Sequence, residues 1–123
     1  MAQLEQSMMR QKNNRRTSRL FIFFIAIVLT GETRASTPEY KIEIINHLFQ
    51  PATITIPADV KVKLLIHNRD ATPEEFESYE LNREKVIMGN SQARIFVGPL
   101  APGRYPFFGE FNPKTAQGVL IVE

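Results

Sequence analysis

The stretch Lys61-Val-Lys-Leu-Leu-Ile-His-Asn68 decides the fold of this chain. Val62, Leu64 and Ile66 fall on one face of an extended segment, and Lys61, Lys63 and His67 fall on the other. That period of two marks a half-buried strand, because successive side chains of extended backbone point to opposite sides. Upstream, Tyr40 to Ile45 repeats the pattern, with Tyr40, Ile42 and Ile44 opposite Lys41 and Glu43. Thr53-Ile-Thr-Ile56 reads as a third strand, bounded by Pro51 and Pro57. Further candidates are Glu75 to Ser78, Glu84 to Ile87, Arg94 to Val97, Tyr105 to Phe108 and Val119 to Val122. No window sustains a helical period, and the pattern leaves room for only one helical turn, near Ser78 to Arg83. About eight short strands, mostly antiparallel and separated by Pro, Gly, Asn and Asp, predict an all-β Greek-key sandwich.

The first 35 residues are a different kind of chain. They hold six basic residues and two acidic ones, whereas Ser36 to Glu123 hold nine basic and eleven acidic. A net charge of +2 and a pI near 9.1 therefore say little about the folded part, and a nucleic-acid partner argued from basicity is excluded. Leu20 to Thr30 is an apolar run between a cationic stretch and Thr33-Arg-Ala35, the order of a secretory signal with cleavage expected after Ala35. The run is shorter than the roughly twenty apolar residues of a spanning helix, so a retained anchor is the lesser alternative. Arg15-Arg16 resembles a twin-arginine signal, but Ser18 stands where that signal takes an apolar residue. Residues 36–123 are then expected as one soluble domain outside the cytoplasm, in the periplasm.

An exported chain with no cysteine has neither disulfides nor a thiolate for metal binding or catalysis. About 88 residues beyond Ala35 must hold together on core packing alone, which demands a dense apolar pattern.

Several strings carry a family resemblance. Pro51 to Asp59, Val62 to Asn68, Pro99-Leu-Ala-Pro-Gly103-Arg-Tyr105-Pro-Phe107 and Gly118-Val-Leu-Ile-Val122 resemble the cupredoxins. Asp70 to Ser78, Arg83-Glu-Lys-Val86 and Phe107-Phe-Gly-Glu-Phe111 are similar to the small cupredoxin-like periplasmic proteins that accompany high-affinity iron permeases in bacterial ferrous-iron uptake. The resemblance spans nearly all of residues 40–123. It implies a metal ion, copper or iron or both, a partnership with an inner-membrane iron permease and other uptake components, and oxidation of Fe(II) before delivery.

The departures from the family pattern are as informative. A blue-copper site takes two imidazoles, a thiolate and a weak axial thioether. At the corresponding places stand Glu74-Glu75-Phe76, Gly109, Asn112 and Ala116. A type 1 copper electron carrier is excluded. The longer iron-uptake domains also carry two cysteines, which would fall near Phe49 and Phe108, so thiolate-assisted copper binding is in doubt.

Acidic residues stand in place of the missing ligands. Asp70, Glu74, Glu75, Glu77, Glu80 and Glu84 crowd into fifteen residues. On a strand, Glu75 and Glu77 share one face, and Glu74 and Phe76 share the other, inward one. Glu75 and Glu77 also resemble the glutamate pair around an aromatic in the longer iron-uptake proteins, which makes them the first metal candidates. Carboxylate oxygens favour hard cations, and Fe(III) over Fe(II). An imidazole from His47 and a thioether from Met88 would soften the site towards copper, and Glu110 is a further candidate ligand. His67 sits on the lysine face and reads as exposed, while Phe107, Phe108 and Phe111 read as packing residues. Ser78 and Ser91 lie in no nucleophile motif, and no glycine loop could cradle a phosphate. The rival to a metal-binding protein is a metal-free sandwich whose edge and acidic surface dock on a membrane transport complex.

Overall fold

The computed structural model describes residues 31–123, of which Arg34–Glu123 form one compact unit. The apolar run and twin arginines of the expected targeting segment lie outside the described residues. The expected cleavage point at Ala35 falls on an exposed stretch without strand structure.

Nine strands follow: β1 Glu39–Ile45, β2 Leu48–Gln50, β3 Thr53–Ile56, β4 Val62–Asn68, β5 Glu74–Ser78, β6 Arg83–Ile87, β7 Ser91–Val97, β8 Gly103–Gly109 and β9 Gln117–Val122. They form a four-stranded sheet, β2-β1-β4-β7, and a five-stranded sheet, β3-β9-β8-β5-β6. Pairing is parallel for β1 with β4 and for β3 with β9, and antiparallel elsewhere. The all-β sandwich expected from the alternation is present, with one strand more than the eight counted. The extra strand is β2. Asn46 and His47 both take positive φ (51° and 58°), the hairpin geometry of a two-residue turn, so Ile45 pairs directly with Leu48. Three residues are too few to show a period, which hid this strand.

The helical turn near Ser78 to Arg83 is corrected. Tyr79 to Asn82 form a hairpin turn in which the Asn82 N–H donates to the Tyr79 carbonyl at 3.1 Å and Asn82 takes φ 50°. Ser78 holds its start, accepting the Leu81 N–H at 3.1 Å while its hydroxyl donates to the Pro106 carbonyl at 2.7 Å. No helix occurs among the described residues.

The inward faces meet as the alternation requires. Ile42, Ile44, Val62, Leu64, Ile66, Ile95 and Val97 from one sheet pack on Ile54, Ile56, Phe76, Ile87, Phe107, Leu120 and Val122 from the other. Phe49, Phe76 and Phe107 form the aromatic centre, with Phe107 stacked on Phe76 at 5.0 Å and edge-on to Phe49 at 5.0 Å. Every buried side-chain nitrogen or oxygen among the described residues has a hydrogen-bond partner. The buried core cluster found among the described residues lies within Arg34–Glu123.

Candidate metal centre

The sequence Glu74-Glu-Phe-Glu-Ser78 alternates on β5 as extended backbone demands. Glu74, Phe76 and Ser78 are buried, and Glu75 and Glu77 stand on the outer face. The hairpin turn then sets the register with β6, placing Glu84 directly across from Glu77 and Val86 across from Glu75. On the other side of Glu75 the β8 chain ends, and the Glu110 N–H donates to the Glu75 carbonyl at 2.9 Å.

Oxygen atoms of Glu75, Glu77 and Glu84 come within 4.8 Å of one another. Like charges opposed across a strand pair repel, which favours the protonated forms of Glu75 and Glu77. Glu75 is raised above the ordinary 4.5, first by a hydrogen bond with Glu84, then by partial desolvation and by repulsion from Glu84, Glu110 and Glu77. Glu77 is raised by partial desolvation first, then by Glu84 and Glu110. None of the ion pairs found among the described residues includes these glutamates. The neighbouring Arg83 turns away, its guanidinium donating to the carbonyls of Phe96 at 2.8 Å and Asn82 at 2.9 Å. A shallow cleft of about 280 Å³, lined by Glu77, Tyr79, Asn82, Arg83 and Glu84 among others, opens beside the cluster. The arrangement is an all-oxygen donor set suited to a hard cation.

The other candidates sit elsewhere. The Asp70 carboxylate holds the hairpin turn of His47, accepting the N–H groups of Asn46 at 2.8 Å and His47 at 2.9 Å, and lies 3.7 Å from the His47 imidazole Nδ1. Met88 is 61% exposed in the β6–β7 turn. That turn is tied to the same segment, because the Asn90 N–H donates to the Asp70 carbonyl at 2.9 Å. His47 and Met88 thus flank Asp70 at the loop end, and neither belongs to the three-carboxylate group. Glu110 adjoins Glu75 without being one of the three. Glu84 was not among the candidate ligands. It stood in the acidic run, but its place depends on the hairpin register, and counting outward from a four-residue turn would have put it opposite Glu77.

The places where the resemblance puts copper ligands converge on one point. Glu74 is 1% exposed and accepts hydrogen bonds from the N–H of Glu75 at 2.9 Å, the N–H of Phe111 at 3.0 Å and the amide of Asn112 at 2.7 Å. A Cβ added at Gly109 would lie 2.6 Å from the Glu74 carboxyl carbon and 2.7 Å from the Cβ of Ala116. These residues do not fit a copper ion. A thiolate has no room at 109, and the groups facing Glu74 are hydrogen-bond donors, which repel a cation.

Residues 18–122 match the family of the cupredoxin-like domain. The chain belongs to this family. An uncharacterized protein of Rickettsia prowazekii (strain Madrid E) is 39% identical to this cupredoxin-like chain over 119 residues, covering 91% of it and 95% of the relative. Among solved structures, auracyanin A, a blue copper protein of Chloroflexus aurantiacus, superposes with a TM-score of 0.62 at 13% identity, over 72% of this chain and all of that one. Amicyanin of Paracoccus versutus gives 0.55 at 16% identity, over 75% and 86%. The metal-binding domain of a Cu(I)-exporting P-type ATPase of Streptococcus pneumoniae, solved with Cu(I), gives 0.62 at 18% identity, over 69% and 84%. The cupredoxin-like domain shares its sandwich with these copper proteins.

Proposed function

We propose that this cupredoxin-like chain is an exported, periplasmic metal-binding protein that holds iron on the outer face of β5 and β6 and presents it to an inner-membrane iron permease. The observation that carries this reading is the convergence of Glu75, Glu77 and Glu84, with Glu110 adjacent and no basic side chain among the described residues paired to them. A cation there relieves the repulsion that raises the proton affinity of Glu75 and Glu77. Oxygen donors alone suit a hard ion and favour Fe(III) over Fe(II), whereas among divalent ions Cu(II) competes with Fe(II) for the same oxygens. The reading comprises binding and presentation; oxidation of Fe(II) would need a redox partner, and the position around Glu74 offers copper no fitting ligands. The permease and the periplasmic location rest on the family resemblance and on the leader.

Titration of residues 34–123 with Fe(II) under nitrogen, and separately with Cu(II), tests it. Saturable Fe(II) binding that Glu77→Gln and Glu84→Gln each weaken by about tenfold or more is the expected result. Well-folded protein that binds neither ion would sink it.

A second reading is favoured by the surroundings of the cluster. Tyr79, Val86 and Phe111 are large and exposed, and Val86 is the cross-strand neighbour of Glu75. Apolar residues beside an acidic patch also suit a metal-free docking surface for a basic partner. In that case Val86→Asp breaks assembly with the transport complex while metal titrations of the isolated protein stay blank.

A further inference from the structure

We infer that Glu74 fills its position at the loop end of the sandwich as a built-in anion, cross-linking the segments that a metal would otherwise join, so that this position loads no cation. A carboxylate removed from water is tolerable only when its oxygens are met by donors. Here the donors come from both sides of the gap: the Glu75 N–H from β5, and the Phe111 N–H and Asn112 amide from the loop between β8 and β9. The loop is itself held by backbone hydrogen bonds. The Gly109 N–H donates to the Ala116 carbonyl at 2.8 Å, and the Ala116 N–H to the Asn112 carbonyl at 2.9 Å. Glu74 therefore ties a preformed loop to the strand that carries Glu75.

The polarity of the surroundings sets what this place accepts. Removing the Glu74 side chain would leave two backbone N–H groups and one amide NH₂ aimed into a buried gap beside Gly109 and Ala116. Such a gap attracts an anion and disfavours a metal ion. The chain thus satisfies internally, with a negative charge, the position where its fold relatives suggest a positive one.

The test uses residues 34–123 with Glu74→Ala and Glu74→Gln, followed by thermal unfolding and by mapping Cu(II)-induced broadening of amide resonances. Glu74→Ala is expected to lower Tm by roughly 10 °C, and millimolar formate to restore part of that loss while leaving wild type unchanged. Glu74→Gln, which keeps the shape but loses the charge, is expected to fall between the two, and it decides the matter if Glu74→Ala does not fold. In a Glu75→Gln, Glu77→Gln, Glu84→Gln background, which removes the outer-face carboxylates beside Glu110, Cu(II) is expected neither to raise the Tm nor to broaden residues 111–116. Broadening there together with a Cu(II)-dependent rise in Tm would overturn the inference, as would a Glu74→Gln variant as stable as wild type. In wild type, absence of broadening by both Fe(II) and Cu(II) would defeat metal carriage on β5 and β6 yet support the closed position at Glu74.

Discussion

Asp70, Glu74 and Glu75 stand within six residues of one another and do three different things. Asp70 accepts two backbone N–H groups of a left-handed turn, Glu74 is sealed under a loop, and Glu75 faces solvent among other carboxylates. Alternation along β5 separates Glu74 from Glu75 on the sequence alone, because the inward position is shared with Phe76. The partners of Glu74 were not legible, since Phe111 and Asn112 lie 37 and 38 residues away and meet it only after the sandwich closes. An inward-facing glutamate was nevertheless a signal that donors had to be found. Replacing Asp70 by Ala leaves the Asn46 and His47 N–H groups without acceptors and is expected to cost about 1–2 kcal/mol in urea denaturation. Phe76→Ala opens the aromatic centre and is expected to cost about 3–5 kcal/mol by the same measurement.

At the scale of the element, the β5–β6 hairpin shows why a candidate site is harder to read than a fold. The strands announce themselves through apolar period, and the two faces of β4 and β5 came out as the pattern predicted. Register does not announce itself, because it depends on the conformation of Tyr79 to Asn82, where a helical turn was an equally reasonable expectation. One residue more or less in that turn would carry Glu84 away from Glu77. The opposed pair also makes a trade-off measurable. Glu84→Lys turns repulsion into attraction across the ladder, so it is expected to raise the thermal midpoint while abolishing Fe(II) binding. Calorimetry on one sample gives both readouts.

For the molecule as a whole, the fold was legible because 15 of the 17 buried apolar residues among the described ones lie on strands and recur at strand spacing, with no cysteine in the chain. The loss of the four type 1 ligand positions was legible too, whereas the convergence of those positions on Glu74 was not. The acidic surface gives the stability of the unit a pH dependence whose sign follows from the proton affinities. Glu75 and Glu77 bind protons more tightly folded than unfolded, so their contribution is fully present below about pH 4.5 and is lost as the pH rises through their raised values. Glu75→Gln with Glu77→Gln is therefore expected to gain stability relative to wild type as the pH goes from 4.5 to 7 without metal. Fe(II) affinity of wild type should climb over the same interval, as protons stop competing for the oxygens.

Met88 is the only methionine beyond the leader, and there is no cysteine, so the folded unit contains a single sulfur atom. That atom stands in solvent on a turn, outside the packed core. Oxidation to the sulfoxide can then proceed without disturbing the sandwich. The intact mass of the domain then becomes a tally of oxidant exposure, read as one oxygen gained at one known place.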